Sequence, residues 1–124
     1  MKKILIVEDH ADIRRLIRMT LEVESCEIHE AADALTGWEM VQKIRPDVVL
    51  LDVMMPGHVD GLDLCLAIKV DPAMVGIKVI ILSALGKSTD ADKGLRSGAD
   101  AYLAKPFSPM ELLALVNDKP VGKA

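Results

Sequence analysis

Four apolar runs in this chain each end in a residue able to do chemistry. Ile4-Leu5-Ile6-Val7 ends in Glu8-Asp9, Val48-Val49-Leu50-Leu51 in Asp52, and Val79-Ile80-Ile81-Leu82 in Ser83, while Ala101-Tyr102-Leu103 leads to Ala104-Lys105-Pro106. Consecutive aliphatic residues of strand-forming type read as strands buried on both faces. In open parallel α/β sheets the carboxyl edge is where ligands gather. Strands laid parallel therefore bring three carboxylates, a hydroxyl and an ammonium to one pocket. Two unit charges roughly 4 Å apart repel by about 4 kcal/mol at an effective dielectric near 20. A hard divalent cation relieves this, and oxygen ligands with retained water suit Mg2+. No Cys/His spacing suited to zinc is present. Cation, carboxylate, hydroxyl and lysine together form a set for phosphoryl transfer. The carboxylate is the nucleophile and forms an acyl phosphate; cation and ammonium neutralise charge on the transferred oxygens.

The elements that must position these groups alternate along the chain. Strands are predicted at residues 3–7, 27–30, 48–51, 78–82 and 101–103, the first, third and fourth central and the polar second at an edge. Between them the apolar period is near 3.6. Ile13, Leu16, Ile17 and Leu21 mark one face of a first helix, with Arg14, Arg15 and Arg18 off it. A second helix starts at the N-cap Asp33, buries Trp38, Val41 and Ile44, and stops before Pro46. Gly37 allows close helix–sheet packing. A third begins near Asp60 and carries Leu62, Cys65 and Ile68. A fourth, residues 89–97, has thin apolar anchoring in Ala91 and Leu95 and is the element expected to move. Ser108-Pro109-Met110-Glu111 is a capping box opening a fifth helix, with Leu112, Leu113, Leu115 and Val116 facing inward. Each parallel connection needs a crossover, so the expected fold is α/β, a doubly wound five-stranded parallel sheet with helices on both faces.

At 124 residues the chain is one domain, expected over residues 1–118, with 119–124 a tail or truncated linker. It is 51% hydrophobic but only 2% aromatic, so the core is aliphatic. A net charge of −4 argues against direct nucleic-acid binding and against an anionic membrane surface. The N-terminal apolar run is too short for a signal peptide, and no stretch approaches a membrane span, so a cytoplasmic location is expected. Cys26 and Cys65 read as small buried hydrophobes in a reducing compartment. His10, His29 and His58 read as surface or loop residues.

The chain resembles a response-regulator receiver domain of bacterial two-component signalling, over nearly its whole length. The resemblance is carried by Glu8-Asp9, Asp52 with Met55-Pro56-Gly57 and Asp60-Gly61, Ser83-Ala84, Gly98-Ala99-Asp100 with Tyr102, and Lys105-Pro106-Phe107, in order and spacing. It implies a flavodoxin-like strand order 2-1-3-4-5 and a phosphorylation-activated switch. By that resemblance Asp52 accepts the phosphoryl group from a sensor histidine kinase or phosphotransfer protein. Asp9, Asp52 and the Met54 carbonyl coordinate Mg2+, with Glu8 acting mainly through a water on the metal. Ser83 bonds a phosphoryl oxygen, Lys105 pairs with the phosphoryl group and Asp52, and Tyr102 swings inward when Ser83 moves. The Lys105-Pro106 bond is expected cis. The face of fourth helix, fifth strand and fifth helix then changes for an unknown output protein or domain, and homodimerisation through it is open.

The loop Met55-Pro56-Gly57-His58-Val59-Asp60-Gly61 carries one residue more than the family's usual loop, so a bulge is expected there. Met54 and Leu85, both apolar, flank the expected path of attacking water and imply slow self-dephosphorylation. Such a protein is not an enzyme in the ordinary sense, acting only on its own phosphoryl group. Two other functions remain: an aspartyl-nucleophile phosphohydrolase, disfavoured because Met54 stands where a second acid is needed, and a pseudo-receiver that binds without phosphorylation.

Overall fold

Alternation along the central strands decides the architecture. In a computed structural model, Ile4, Ile6, Val48, Leu50, Ile80 and Leu82 project to one face of a sheet. Leu5, Val7, Val49, Leu51, Val79 and Ile81 project to the other. All twelve are buried, so these strands need cover on both sides. The structure describes residues 2–52, 61–83 and 98–117, and of Ser83 the backbone alone.

The strands are β1 (Lys2–Val7), β2 (Cys26–Ala31), β3 (Val48–Asp52), β4 (Lys78–Ser83) and β5 (Ala101–Ala104). They form one sheet in the order β2-β1-β3-β4-β5, and every pairing is parallel. The chain therefore runs outward to one edge, returns to the centre and runs to the other edge. The polar β2 lies at an edge, as its composition predicts. Helices α1 (Ala11–Leu21) and a C-terminal helix (Pro109–Asn117) cover one face through Ile17, Leu21, Leu112 and Val116. Helices α2 (Ala34–Ile44) and α3 (Gly61–Val70) cover the other through Ala34, Val41, Leu64, Cys65 and Ile68.

Local signals account for the element ends. The Asp33 carboxylate accepts a hydrogen bond from Thr36 N at 2.7 Å and starts α2. Helix α2 ends at Arg45, in the left-handed region, just before Pro46. Ser108 and Glu111 make the reciprocal capping box at 3.0 and 3.1 Å. A short 3-10 turn, Pro72–Met74, follows α3 and is capped by Asp71. A Cβ on Gly37 would lie 3.1 Å from both Leu64 Cδ2 and Val7 Cγ2, which explains a glycine in mid-helix.

Two expectations about helix faces need correction. Leu16 is 51% exposed, whereas Thr20 is buried and bonds back to the Leu16 carbonyl at 2.9 Å. At 100° per residue the inward face of α1 centres on Ile17, Thr20 and Leu21, and Leu16 falls on its flank. Trp38 and Ile44 are only partly buried, Trp38 packing against the rim of the core. Cys65 is buried and Cys26 half-buried, and neither is in a disulfide. No helix among the described residues is long and apolar enough to cross a membrane. The expected helix at 89–97, the Met54–Asp60 loop and the tail lie outside the described residues.

Candidate functional site

Register brings the acids together. Val7 pairs with Leu51, so Glu8 and Asp52, the next residue on each strand, emerge side by side. Both are almost fully buried, at 0% and 2% exposure. Ser83 pairs with Ala104 at the same edge, which places Lys105 beside the end of β4. The Lys105-Pro106 peptide is cis. Lys105 Nζ reaches back to Glu8 Oε1 at 2.6 Å and Asp52 Oδ1 at 3.5 Å.

Asp9 leaves the strand and sits half-exposed, but its Oδ1 is buried and has no hydrogen-bond partner among the described residues. His10 Nδ1 lies 3.0 Å from Glu8 Oε2 and 3.2 Å from Asp9 Oδ1. Glu8, Asp9, His10 and Asp52 each offer a ligand atom, all within 4.8 Å of one another. Donors of an octahedral Mg2+ at about 2.1 Å can stand no further than roughly 4.2 Å apart, so a small inward movement accommodates the ion. The Asp9 oxygen, in ion-pair contact with His10 but without a hydrogen bond among the described residues, and the carboxylate crowding fit a hard cation.

The electrostatics agree. Burial pushes the Glu8 carboxyl up, but hydrogen bonds from Lys105 and His10 outweigh it and hold Glu8 below its ordinary value. The hydrogen bond to Glu8, and then the charge of Asp9, raise the His10 imidazole above its ordinary value.

The sequence places Glu8, Asp9, Asp52 and Lys105 at one spot, and the structure brings these four together. Tyr102, on β5, packs against the α2–α3 side of the core with its hydroxyl buried and no hydrogen-bond partner among the described residues. The Met54 carbonyl and the Ser83 side chain lie outside what is described. Two contributors escaped sequence reasoning. The sequence marks His10 as a surface residue; it is exposed, but its ring nitrogen turns into the acid cluster. Arg14 lies off the apolar face of α1, as its spacing predicts, yet its Nη1 donates to the Glu8 carbonyl at 2.8 Å and the Asp9 carbonyl at 3.4 Å. Only the position of His10 directly after the two acids offered a signal.

Comparison with known proteins agrees with this geometry. A family model described as response regulator receiver domain matches residues 4–117. The phosphate regulon transcriptional regulatory protein PhoB of Pseudomonas aeruginosa is 42% identical over 113 residues, 91% of this chain and 49% of that protein. The DNA-binding dual master transcriptional regulator RpaA of a Synechocystis species is 38% identical over 116 residues, 94% of this chain and 48% of that protein. The chain thus spans about half the length of these curated relatives. Among solved structures, a putative response regulator from Chloroflexus aurantiacus superposes with a TM-score of 0.88 at 31% identity, covering 93% of each chain. The chemotaxis protein CheY4 of Vibrio cholerae gives 0.85 at 30% identity, covering 94% of this chain and 96% of its own. A parallel sheet in this order, acids meeting a lysine at its carboxyl edge and a family match over nearly the whole length agree: the chain belongs to the response regulator receiver domains of two-component signalling.

Proposed function

We propose that this receiver domain is a phosphorylation-activated switch in which Asp52 takes a phosphoryl group from a phosphohistidine on a sensor histidine kinase or phosphotransfer protein, with Mg2+ required. The observation that carries this reading is the Asp52 carboxylate, buried at the end of a central strand, 3.5 Å from Lys105 Nζ and clustered with Glu8 and Asp9. An Asp52 oxygen attacks phosphorus while the P–N bond to the donor imidazole breaks. The imidazole leaves with that electron pair and takes up a proton from solvent. Lys105 follows the charge onto the phosphoryl oxygens, and the Ser83 hydroxyl donates to one of them. Asp9, Asp52 and the Met54 carbonyl would hold Mg2+, with Glu8 beside them; when bound, the cation offsets the charge on the transferred group.

The added charge is about −1.5 to −2 at a site already acidic. Ser83 moves toward it and Tyr102, whose hydroxyl is already buried against the core in this structure, is held in that inward position, so the face that includes β5 and the C-terminal helix changes. Relatives of twice this length are named transcriptional and DNA-binding regulators. We therefore assign the altered face to contact with an output protein or domain, in the cytoplasm, and not to direct contact between this acidic domain and nucleic acid.

Incubation with acetyl phosphate and Mg2+, followed by intact mass measurement, tests the reading. One labile phosphoryl adduct per chain, absent in Asp52→Asn and without the cation, is expected. Continuous release of phosphate would make the protein a phosphohydrolase, and no adduct at all would make it a pseudo-receiver.

A further inference from the structure

Arg14 and Glu30 hold the backbone from which Glu8 and Asp9 project. Arg14 Nη1 donates to the carbonyl oxygens of Glu8 and Asp9 at 2.8 and 3.4 Å. Its Nε donates to Glu30 Oε1 at 3.1 Å, and Glu30 sits on β2, the strand beside β1. Glu30 Oε2 is in turn held by Arg18 Nε at 2.8 Å. The Glu8 amide donates to the Ala31 carbonyl at 3.0 Å. The turn between β1 and α1 is thus fastened at the Glu8 amide and at the Glu8 and Asp9 carbonyls, whereas among the described residues the Glu8 carboxylate is fastened by Lys105 and His10.

We propose that Arg14, locked by Glu30, is a positioning residue for the cation: it fixes the Glu8 and Asp9 peptides so that their carboxylates meet Asp52, and so sets divalent-cation affinity. This rests on the cation-dependent reading of the site. Groups that orient ligands from behind commonly change metal affinity by roughly 10–100-fold when removed. Arg14 suits the task because its planar fork serves Glu30 and two carbonyls at once, which a lysine cannot do.

Charge and positioning make opposite forecasts. Arg14 is a cation near the site where another cation is to bind. If it acted through its charge, removing it would tighten Mg2+ binding; if it acts through the backbone, removal loosens binding. Arg18 is the internal control. It shares Glu30 and carries the same charge, yet among the described residues the backbone carbonyl that its side chain reaches is that of Ile28, away from the turn.

The test is the Mg2+ and Mn2+ dissociation constants of the unphosphorylated protein, by titration calorimetry and by the electron paramagnetic resonance signal of free Mn2+. Metal-free melting is followed in parallel. Arg14→Gln is expected to weaken both cations roughly tenfold. Arg18→Gln is expected to leave both unchanged. Glu30→Ala, which leaves Arg14 present but unheld, is expected to weaken them by less than Arg14→Gln, and unchanged binding in this variant overturns the proposal should Arg14→Gln not fold. Unchanged or tighter binding in a folded Arg14→Gln, or equal losses in Arg14→Gln and Arg18→Gln, overturns the proposal. A wild type that binds neither cation overturns instead the function proposed above, so the two failures are distinguishable.

Discussion

Lys105 Nζ lies closer to Glu8 than to Asp52, 2.6 against 3.5 Å. Glu8 is wholly buried, so the lysine is first of all the counter-ion of a carboxylate withdrawn from solvent, with His10 on its other oxygen. Much of the cost of burying that charge is offset by the pair with Lys105.

Lys105→Ala should therefore destabilise the metal-free protein by roughly 3 kcal/mol, the usual scale when one partner of a buried pair is removed. Urea titration checks it. The double variant Glu8→Gln with Lys105→Met should recover most of the loss, since it removes the stranded charge. If the single and double variants lose the same amount, the pair is not what stabilises this corner.

The same pair sets an acid limit. The Glu8 carboxyl is held below its ordinary value of 4.5, so the folded state binds that proton more weakly than the unfolded state. Its contribution to stability is present above pH 4.5 and is lost as pH falls through the lower folded value. Wild type should lose stability over that acid range more steeply than Glu8→Gln, as read from denaturation midpoints between pH 3 and 6.

At the other end of the scale, burial raises the Cys65 thiol to about 11. The folded state keeps this proton where the unfolded chain releases it near 9, so the contribution is complete below pH 9 and lost as pH climbs to 11. Cys65→Ala should show a shallower alkaline decline. In the native protein Cys65 should resist thiol reagents at pH 8 and react only on unfolding.

The Asp33 cap is a local case. Asp33→Ala should cost about 1 kcal/mol at neutral pH, because Thr36 N loses its acceptor. The hydrogen bond from that amide lowers the Asp33 carboxyl below its ordinary value of 3.8, so the penalty should shrink as pH falls through the lowered value, where the protonated carboxyl remains a weaker acceptor. A penalty of the same size in acid and at neutral pH would mean that the charge of Asp33 does not strengthen the cap.

The elements that sequence reasoning recovered share a cause. Each central strand is an unbroken aliphatic run, and Asp33, Pro46 and the Ser108–Glu111 box mark helix ends through contacts of four residues or fewer. The acids are legible because Glu8-Asp9 and Asp52 close such runs, and Lys105 because it stands just past the short strand segment Ala101-Tyr102-Leu103. What was not legible depends on contacts distant in sequence or on rotational phase. Leu16, expected on the apolar face, is exposed while Thr20 is buried, because the face of α1 is fixed by the sheet beneath it. Arg14 and Glu30, 16 residues apart, meet only because β2 lies beside β1. The resemblance names Asp52 as the partner of Lys105, and only the fold brings Glu8, 97 residues away, nearer to it than Asp52.

Asp9→Asn separates the needs of stability from those of cation binding. Ligand atoms of Glu8, Asp9 and Asp52 lie within 4.8 Å of one another, and at an effective dielectric near 20 each such pair repels by roughly 3–4 kcal/mol before counter-ions are considered. Lys105 and His10 offset much of this, yet Asp9 Oδ1 has no hydrogen-bond partner among the described residues. Neutralising Asp9 should raise the stability of the metal-free protein by about 1 kcal/mol, a fraction of one such repulsion. The same change removes a candidate cation ligand. Mg2+ at a hundred times its dissociation constant should stabilise the wild type by about 2.7 kcal/mol and the variant by far less. The two melting curves should therefore cross: Asp9→Asn is the more stable protein in chelator and the less stable one in Mg2+. Parallel curves with no crossing would mean that Asp9 neither strains the site nor binds the ion.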